Sequence, residues 1–443
     1  MNRRHFLAAA ALGATARRSA TAASDKVNIA VIGVRGQGRG LAGRFASLAD
    51  VHVACLCDVD TRVVKPALDL VEKNSGRRPR VEQDLRRVLD DKSIDAVVIA
   101  TPDHWHAPAT ILACQAGKDV YVEKPASHNL REGRWMVNAA REHSRIVQLG
   151  TQSRSRPSTR RAIELIHGGR IGKVLAAKAW DVQLRDHIGH AGDSPAPKEV
   201  DYETWVGPAP FLPFNENRFH YKWHWHWNFG TGDAGNDGAH QIDMARWALG
   251  ADLPDSVHGM GRKLFFDDDQ QTPDTMNVTF NFKDKILMWE MRIWNPYGLE
   301  DQDNGVAVYG TAGMIHIGRW NKNWGYKVFD DKGKLAEDRS KSEGDGDGHH
   351  ERNFIDCVRS RKPPNAEIEI GHTSSALCQL ANVVARTGRA VKFDAKTESI
   401  SGDPDADALL GRKYRKHWAT PASARVTLAE SPVARSLASN VGG

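Results

Sequence analysis

The feature that most constrains the fold of this chain is an alternation of short apolar runs with helical patterns over residues 27–150. The runs are continuous, which is typical of β-strands buried on both faces of a parallel sheet. They read VNIAVIG, VHVACLC, IDAVVIA, DVYVEK and IVQLG. Between the first two runs, Leu41, Phe45 and Leu48 follow the spacing of a helix, and later gaps carry similar patterns. Repeated strand–helix–strand units predict an α/β fold with a doubly wound parallel sheet in residues 26–150.

After this region the pattern predicts a second domain of the α+β type, residues 151–418. Leu287, Trp289, Met291 and Ile293 occupy alternate positions, so one face of their strand is apolar. Strands are predicted at 174–182, 276–282, 286–294, 306–309 and 314–317, with a hairpin turn at 310–313 and helices at 158–167 and before Gly388. These elements indicate an open, mostly antiparallel sheet with helices on one side. Polar stretches at 190–198, 267–274 and 341–348 are predicted to be loops, and 419–443 a loose tail.

The amino terminus has the features of a twin-arginine export signal in the right order. Two arginines precede an apolar stretch at residues 6–16, a second basic pair follows, and residues 20–22 provide an A-x-A cleavage signal. We therefore predict a signal peptide over residues 1–22 and a periplasmic or otherwise exported protein. A disordered tail is the alternative.

Charge and hydropathy argue against a nucleic-acid partner and against a membrane span. The formal net charge is +6, but it falls to +2 without residues 1–22, because that segment holds four arginines and no acid. Such a balance gives little support for a nucleic-acid partner. Outside the amino terminus no apolar run approaches the roughly 20 residues that span a bilayer, so no membrane span is predicted.

A glycine-rich turn, GVRGQGRG at residues 33–40, follows the first apolar run immediately. Gly33, Gly36 and Gly38 let the backbone approach a pyrophosphate, and the helix that follows offers free N–H groups and a favourable dipole. The usual GxGxxG motif has glycine where this chain has Arg35, so the turn alone fits a plain glycine-rich loop equally well. Within the strand–helix alternation it predicts a Rossmann-type nucleotide site, with these four residues among the cofactor contacts.

An acidic residue at the end of the second run strengthens this prediction. Asp58 lies 25 residues after Gly33, where a carboxylate accepts hydrogen bonds from the ribose on the adenine side. A carboxylate there favours NAD over NADP, since a 2′-phosphate would meet a like charge, although Arg62 could weaken that preference. The alternative is that Asp58 is a turn or helix-cap residue.

Four further segments complete a resemblance to a known family. They are TPDHWHA at 101–107, EKP at 123–125, GNDGAHQIDMARW at 235–247 and HERNFIDCVRSRKPPNAEIEIGH at 350–372. With the glycine-rich turn they resemble the Gfo/Idh/MocA family of oxidoreductases, over roughly residues 27–418. The chain is especially similar to the exported subgroup that has a WHW segment before its histidine helix.

The resemblance implies that Lys124 and His240 form the reacting pair. A lysine ammonium beside a hydroxyl oxygen stabilises developing alkoxide charge, and a histidine with a pKa near neutrality takes up the proton. A surface lysine and a satisfied core histidine are the alternatives for these two residues. The cofactor contacts that we expect beyond the glycine-rich turn and Asp58 are Thr101, Pro102, His104, His106, Glu123, Lys124 and Gln152.

One position departs from the family pattern. The family commonly has an aspartate four residues before the reacting histidine, where this chain has Asn236, with Asp237 next to it. Asn236 can hydrogen-bond a sugar hydroxyl but cannot act as a base, so either Asp237 takes that role or the proton chemistry differs. Asp243 lies three residues after His240 on the same predicted helix, which lets the two side chains hydrogen-bond and makes Asp243 a candidate substrate residue.

The segment YKWHWHWNFG, residues 221–230, suggests a carbohydrate. If the segment is extended, Trp223 and Trp225 lie on one face and His224 on the other, so indole rings can stack on sugar rings while imidazoles bind hydroxyls. Core tryptophans are the alternative. The histidines of this segment are spaced for zinc, but no clear third and fourth ligand follow, so no metal site is predicted.

These observations predict an NAD(P)-dependent oxidoreductase, with NAD as the expected cofactor, that acts on a hydroxyl of a sugar, glycoside or polyol. An exported enzyme would have to retain its cofactor, because free nicotinamide nucleotides are scarce outside the cytoplasm. A redox-neutral, NAD-dependent glycoside hydrolase or lyase is therefore an alternative, and a non-catalytic nucleotide or sugar sensor is a second one. We expect a homo-dimer or homo-tetramer, because an open sheet with an apolar face favours assembly.

Overall fold

The computed structural model describes residues 26–320, 323–341 and 348–415. The predicted signal peptide at 1–22, the predicted tail at 419–443 and most of the predicted loop at 341–348 lie outside the described residues. In the part of the chain that is described, no helix is long and apolar enough to cross a membrane.

The amino-terminal domain is built on a parallel sheet of six strands in the order β3-β2-β1-β4-β5-β6. The strands are β1 (Val27–Ile32), β2 (Val51–Cys57), β3 (Arg80–Glu82), β4 (Ala96–Ile99), β5 (Asp119–Val122) and β6 (Val147–Leu149). The helices between them are α1 (Gln37–Ala46), α2 (Val64–Ser75), α3 (Leu85–Asp90), α4 (Asp103–Gln115) and α5 (Leu130–Glu142). This is the strand order of a Rossmann fold, so the predicted fold class is confirmed.

The five predicted strands are all present, and the sequence missed only β3 and α3. β3 has three residues, none of them buried, so it carries no apolar run. The other strands are almost completely buried, because helices cover both faces of the sheet.

The second domain contains a sheet of ten strands in the order β14-β13-β12-β11-β7-β10-β9-β8-β15-β16. Its strands are β7 (Val174–Val182), β8 (Ser256–Arg262), β9 (Thr275–Phe282), β10 (Lys285–Arg292), β11 (Asn304–Gly310), β12 (Gly313–Trp320), β13 (Asn323–Asp330), β14 (Leu335–Arg339), β15 (Val391–Asp394) and β16 (Ser399–Ser401). Its helices are α6 (Pro157–His167), α7 (Tyr202–Val206), α8 (Gly232–Asn236), α9 (Gly238–Leu249), α10 (Gly348–Ser360), α11 (Ile368–Thr387) and α12 (Pro404–Ala408). β7 and β10 are parallel, whereas the other strand pairs with an assigned register are antiparallel, which confirms the predicted open, mostly antiparallel sheet.

The packing of α9 on this sheet sets the position of the predicted reacting histidine. Trp289 on β10 is fully buried, as the alternating pattern predicted. A Cβ atom on Gly238 would lie 2.9 Å from the Trp289 ring, so a glycine at the start of α9 lets the helix approach the sheet closely. His240 lies two residues further along, in the first turn of α9.

A long connection between β7 and α8, residues 183–231, belongs to the second domain and packs against the first. We call it the cover segment. It has its own aromatic core, comprising Tyr202, Trp205, Phe214, Phe219 and Phe229 together with Val200, Val206 and Ala209. The indole N–H of Trp105 on α4 donates to the carbonyl oxygen of Trp205 at 2.9 Å. This contact and others described below hold the cover segment against the carboxyl edge of the parallel sheet.

Candidate active site

A cavity of about 480 Å³ opens at the carboxyl edge of the parallel sheet, where the cover segment and the start of α9 face it. Ligands of doubly wound folds bind at this edge. The predicted site residues that line it are Gly33, Arg35, Gly36, Asp58, Thr101, Pro102, His106, Glu123, Lys124, Trp223, His224, Asn236, Asp237 and His240. The predicted site residues that do not line it are Gly38, His104, Gln152, Trp225 and Asp243.

The glycine-rich turn forms one end of the cavity. Gly33 has a φ of +82°, and a Cβ atom on it would lie 2.7 Å from the Ala100 carbonyl oxygen. A Cβ atom on Gly38 would lie 1.8 Å from the Gly33 carbonyl oxygen, so Gly38 permits the tight turn without lining the cavity. Gly36 has a φ of +48° and open space beside it, immediately before α1 begins at Gln37. An open helix amino terminus of this kind suits a pyrophosphate.

Asp58, at the end of β2, faces the same end of the cavity. Its carboxylate accepts the backbone N–H of Val34 at 2.8 Å and that of Asp60 at 3.0 Å, and burial raises its pKa to about 6. Asp58 therefore holds the turn in place, as the alternative interpretation has it, and it also lines the cavity. Arg62, which could weaken the preference for NAD over NADP, pairs with Asp60 through contacts of 2.8 and 2.7 Å.

Lys124 and Asn236 meet at the other end of the cavity. The Lys124 ammonium, just after β5, donates a hydrogen bond of 2.8 Å to the side-chain oxygen of Asn236 at the end of α8. The Asn236 amide in turn donates to the Asp237 carboxylate at 3.1 Å. Asn236 thus holds the ammonium in place and joins it to an acid that lines the same cavity.

His240 lines the cavity beside this pair, and its imidazole has no hydrogen-bond partner among the described residues. Burial, followed by the charge of Lys124, lowers its pKa well below the usual range, so the ring is neutral near pH 7. The expected pKa near neutrality is therefore corrected: one ring nitrogen can accept a proton, but as a weaker base than the sequence suggested. The expected hydrogen bond to Asp243 is absent. The Asp243 carboxylate instead accepts from the Arg154 guanidinium at 2.8 to 3.0 Å, because that buried cation lies behind α9, away from the cavity.

Sequence reasoning missed a charged group on the cover segment. The Arg185 guanidinium binds the carboxylates of Asp233 and Asp237 and lines the cavity, but it belongs to no motif and simply follows β7. Burial, followed by the charge of Asp233, raises the pKa of Asp237 to about 6. Other missed lining residues are Gln183, His220 and Tyr221, and also Asp103, which lies inside the TPDHWHA motif.

The two histidines of that motif have different positions. The His106 ring lies between the carbonyl oxygens of Pro125, at 2.6 Å, and Thr101, at 2.9 Å, so it ties together two loops that line the cavity. His104 is fully buried against the aromatic core of the cover segment, with a ring nitrogen 2.8 Å from the Trp205 carbonyl oxygen. The structure therefore places His106 at the cavity and His104 behind it.

Two groups at the bottom of the cavity fit a dinucleotide. The hydroxyl of Thr101 is buried and has no partner among the described residues, so it is available to a ligand. The Glu123 carboxylate accepts from Gln37 at 2.9 Å and from Gln152 at 3.2 Å, which places Gln152 behind Glu123. With the open helix terminus and the Asp58 carboxylate, these groups match the phosphate, ribose and amide parts of NAD. Within the described ranges, no group of three or more potential metal ligands occurs.

The WHW segment is not extended, so the condition for a row of indoles on one face is not met. His220–Trp225 forms a 3₁₀ turn, so alternate side chains do not share a face. Trp223 stacks on His224 with ring centroids 3.6 Å apart, and both line the cavity. Trp225 instead points inward, where its indole N–H donates to Asp233 at 2.6 Å. Of the WHW segment, Trp223 and His224 therefore line the cavity and Trp225 does not.

The parallel sheet, the glycine-rich turn, and a lysine and a histidine that two domains bring to one cavity are features of an NAD-binding, two-domain oxidoreductase. Residues 27–151 match the family model for an NAD-binding Rossmann fold of the Gfo/Idh/MocA oxidoreductases, and residues 179–420 match that for the family's C-terminal alpha/beta domain. The chain belongs to the Gfo/Idh/MocA oxidoreductase family. The predictions of this family and of NAD as the cofactor are confirmed.

Individual relatives are more distant. A glycosyl hydrolase family 109 protein of Stenotrophomonas maltophilia is 29% identical over 46% of this chain, and the match spans 47% of that protein. The scyllo-inositol 2-dehydrogenase (NAD(+)) of Bacillus subtilis is 27% identical over 71% of this chain and 82% of its own length. The WlbA dehydrogenase of Bordetella pertussis, solved with NADH and UDP-GlcNAcA, shares the fold with a TM-score of 0.64 at 21% identity, over 83% of this chain and 99% of that one.

Proposed function

We propose that this protein oxidises a secondary hydroxyl of a sugar, glycoside or polyol with NAD as the hydride acceptor. The observation that carries the proposal is that Lys124 and His240, from separate domains, line the same cavity, with Lys124 fixed at 2.8 Å by Asn236. The scyllo-inositol dehydrogenase relative supports a polyhydroxylated ring as substrate.

The residues divide the reaction between them. When bound, NAD supplies a nicotinamide ring that accepts a hydride. The Lys124 ammonium stabilises negative charge that develops on the substrate oxygen, and the neutral His240 accepts the hydroxyl proton. Asn236 keeps the ammonium aimed at the cavity, and Asp237 adds a nearby carboxylate whose pKa of about 6 lets it exchange protons near neutral pH. Hydride and proton leave together, so the substrate ends as a ketone.

The substrate end of the cavity suits a neutral sugar. Trp223 and His224 offer stacked ring surfaces and hydrogen-bonding edges, and Gln183 and Tyr221 add polar groups on the same wall. A carboxylate-bearing sugar is disfavoured, because the Arg185 guanidinium is already bound to Asp233 and Asp237.

Export is a further part of the proposal. The features of residues 1–22 support a twin-arginine signal, by which the protein would be exported already folded and carrying its NAD. Such an enzyme must regenerate its cofactor at the site, for example by reducing a second sugar. We also propose a homo-dimer or homo-tetramer, which a measurement of mass in solution would test.

A redox-neutral glycoside hydrolase or lyase is the second candidate, favoured by the glycosyl hydrolase family 109 relative. In that reaction a transient ketone acidifies the neighbouring C–H, a base takes that proton as the leaving group departs, and the hydride finally returns to the carbon that lost it. In the hydrolase, water adds to the double bond before the hydride returns, whereas in the lyase the double bond remains. Turnover in heavy water separates the candidates, because the carbon that loses its proton takes up deuterium when the proton returns or when water adds to the double bond, whereas simple oxidation requires no such exchange.

The decisive experiment starts from purified, folded protein. Denaturing it and assaying the supernatant should reveal a nicotinamide nucleotide, and a glycoside library is then screened by cofactor absorbance. His240→Ala should lower turnover by on the order of 10²-fold, the usual contribution of a positioned acid or base. Unchanged turnover in both His240→Ala and Lys124→Ala would contradict the proposal, and a protein that binds ligands without turnover would be a sensor.

A further inference from the structure

The cover segment is fastened to the loop after β2 by its backbone. The Thr61 N–H donates to the Glu199 carbonyl oxygen at 3.1 Å, and the Asp201 N–H donates to the Val59 carbonyl oxygen at 2.9 Å. Asp60 and Val200 form an antiparallel bridge between these two bonds. This loop directly follows Asp58. We call the end of the cavity formed by Asp58 and the glycine-rich turn the adenosine end, because a carboxylate at this position suits the adenine-side ribose.

A side-chain contact fastens the same loop a second time. A ring nitrogen of His220, on the cover segment, lies 2.7 Å from a carboxylate oxygen of Asp60. The Asp60 side chain is 1% exposed, and Arg62 is its other charged partner. A hydrogen bond to a buried, charged group is stronger than a neutral one, so this contact contributes more than a typical surface pair.

The backbone of His220 indicates that its position is held by such contacts. Its φ is +42°, a left-handed conformation that residues other than glycine and asparagine adopt at a cost. The 3₁₀ turn that begins at His220 also carries Trp223 and His224, which line the cavity with Lys124. One short turn therefore borders both ends of the cavity.

We infer that His220 and Asp60 form a latch that closes the cover segment over the adenosine end of the NAD site and slows release of the cofactor. The inference rests on the proposed function, because it requires NAD in this cavity. His220 lines the cavity together with Arg35, Asp58 and Val59, so a dinucleotide whose ribose meets Asp58 lies beneath the latch. Leaving the site requires the cover segment to move away from the loop after β2. Breaking the His220–Asp60 contact removes one of the bonds that resist this movement.

The test measures release of NADH rather than activity. Full-length protein loaded with NADH is chased with excess NAD⁺, and the fall in NADH fluorescence gives the dissociation rate. In the His220→Asn variant, asparagine suits the left-handed backbone, but its shorter side chain does not reach Asp60. This variant should raise the dissociation rate of NADH by about tenfold. The matched control is His190→Asn, because His190 also pairs with an aspartate of its surroundings, Asp269 at 2.8 Å, but is exposed and does not line the cavity.

Asp60→Asn and the double variant show whether the pair acts as a unit. If the latch exists, Asp60→Asn also speeds release and the double variant is little faster than the faster single variant, because each change removes the same contact. A rate for His220→Asn equal to that of the wild type and of His190→Asn would overturn the latch. So would fully additive effects of the two changes. Wild-type protein that binds no NADH would overturn the proposed function itself, which is a different result.

Discussion

The two ends of the cavity are assembled in different ways. At the adenosine end the groups around Asp58 come mainly from short stretches of chain in one domain, since Asp58 binds the backbone of Val34 and Asp60, and the cover segment adds only His220 above them. We call the end of the cavity that holds Lys124 the reacting end. There Lys124 and Asn236 are separated by 112 residues and come from two domains. Local turns therefore build the first end, and the packing of α8 and α9 beside β5 builds the second.

The electrostatics differ as well. The reacting end brings the cations Lys124 and Arg185 together with Asp237, whose pKa burial raises to about 6, as it also does for Asp58. The adenosine end presents Asp58 beside a helix amino terminus and backbone N–H groups. We conclude that substitutions at the reacting end should lower the rate, whereas substitutions at the adenosine end should alter affinity and cofactor choice.

Lys124→Met gives the largest expected effect and tests this division directly. The variant keeps the length of the side chain and removes the ammonium, so turnover should fall by about 10³-fold, the effect of losing a positioned charge beside a developing oxyanion. NADH affinity, measured by fluorescence titration, should change far less than the rate. If turnover falls by less than tenfold, or if it falls in proportion to the affinity for NADH, the two ends of the cavity do not have separate roles.

The adenosine end is also the one that sequence reasoning predicted best. The turn at Gly33 and the acid at Asp58 follow from a local motif placed after a buried strand, and the structure has both at the cavity. Lys124 and His240 required the family resemblance, because no local pattern brings residues of two domains to one cavity.

The sequence failed where side chains depend on tertiary contacts. The cover segment has no periodic pattern, since its aromatic residues pack on one another, and His220 and Arg185 were not singled out. Alternation of tryptophans suggested an extended strand, but the buried Asp233 carboxylate binds the Trp225 indole and the segment curls into a 3₁₀ turn. Asp243 has helical spacing to His240, but that spacing does not reveal the buried Arg154 that captures it.

Asp243→Asn tests whether a residue behind the reacting end supports structure rather than substrate binding. Its ion pair with Arg154 is almost completely buried, so the variant leaves an uncompensated guanidinium and should lower the free energy of unfolding by about 3 kcal/mol. Denaturant unfolding measures this change, and the KM should stay close to that of the wild type. Asp303→Asn, in the exposed pair with Arg319, is the control and should cost less than about 1 kcal/mol. A large rise in KM without loss of stability would instead indicate that Asp243 binds the substrate, as the sequence predicted.

Asp103→Asn tests the cost of burying an acid between the two ends. Burial raises the pKa of Asp103 to about 7 from 3.8, and its carboxylate accepts a hydrogen bond of 2.6 Å from the Thr231 hydroxyl. Because the folded pKa lies above the unfolded one, the stabilisation from the protonated form is complete below pH 4 and is lost as the pH rises through 7. The variant avoids this loss and keeps an acceptor for Thr231.

We therefore expect the cofactor-free Asp103→Asn protein to gain about 4 kcal/mol of stability relative to the wild type between pH 4 and pH 8. Unfolding curves at a series of pH values check this gain. Asp269→Asn is the control, because the pKa of that acid is lowered to about 2 by its hydrogen bond with Asn217, so its contribution does not decline between pH 4 and pH 8. A difference between Asp103→Asn and the wild type that does not change with pH would contradict the prediction.

Asp58→Asn has the smallest expected effect and examines the adenosine end alone. The amide oxygen can still accept one of the backbone N–H groups, from Val34 or Asp60, while the negative charge that would repel a 2′-phosphate is lost. The ratio of Kd values for NADPH and NADH should fall by about tenfold, or roughly 1.4 kcal/mol. Turnover with saturating NAD should change little, because Asp58 lies at the opposite end of the cavity from Lys124. If the ratio is unchanged, another group sets cofactor choice; if turnover falls as it does in Lys124→Met, the two ends do not act separately.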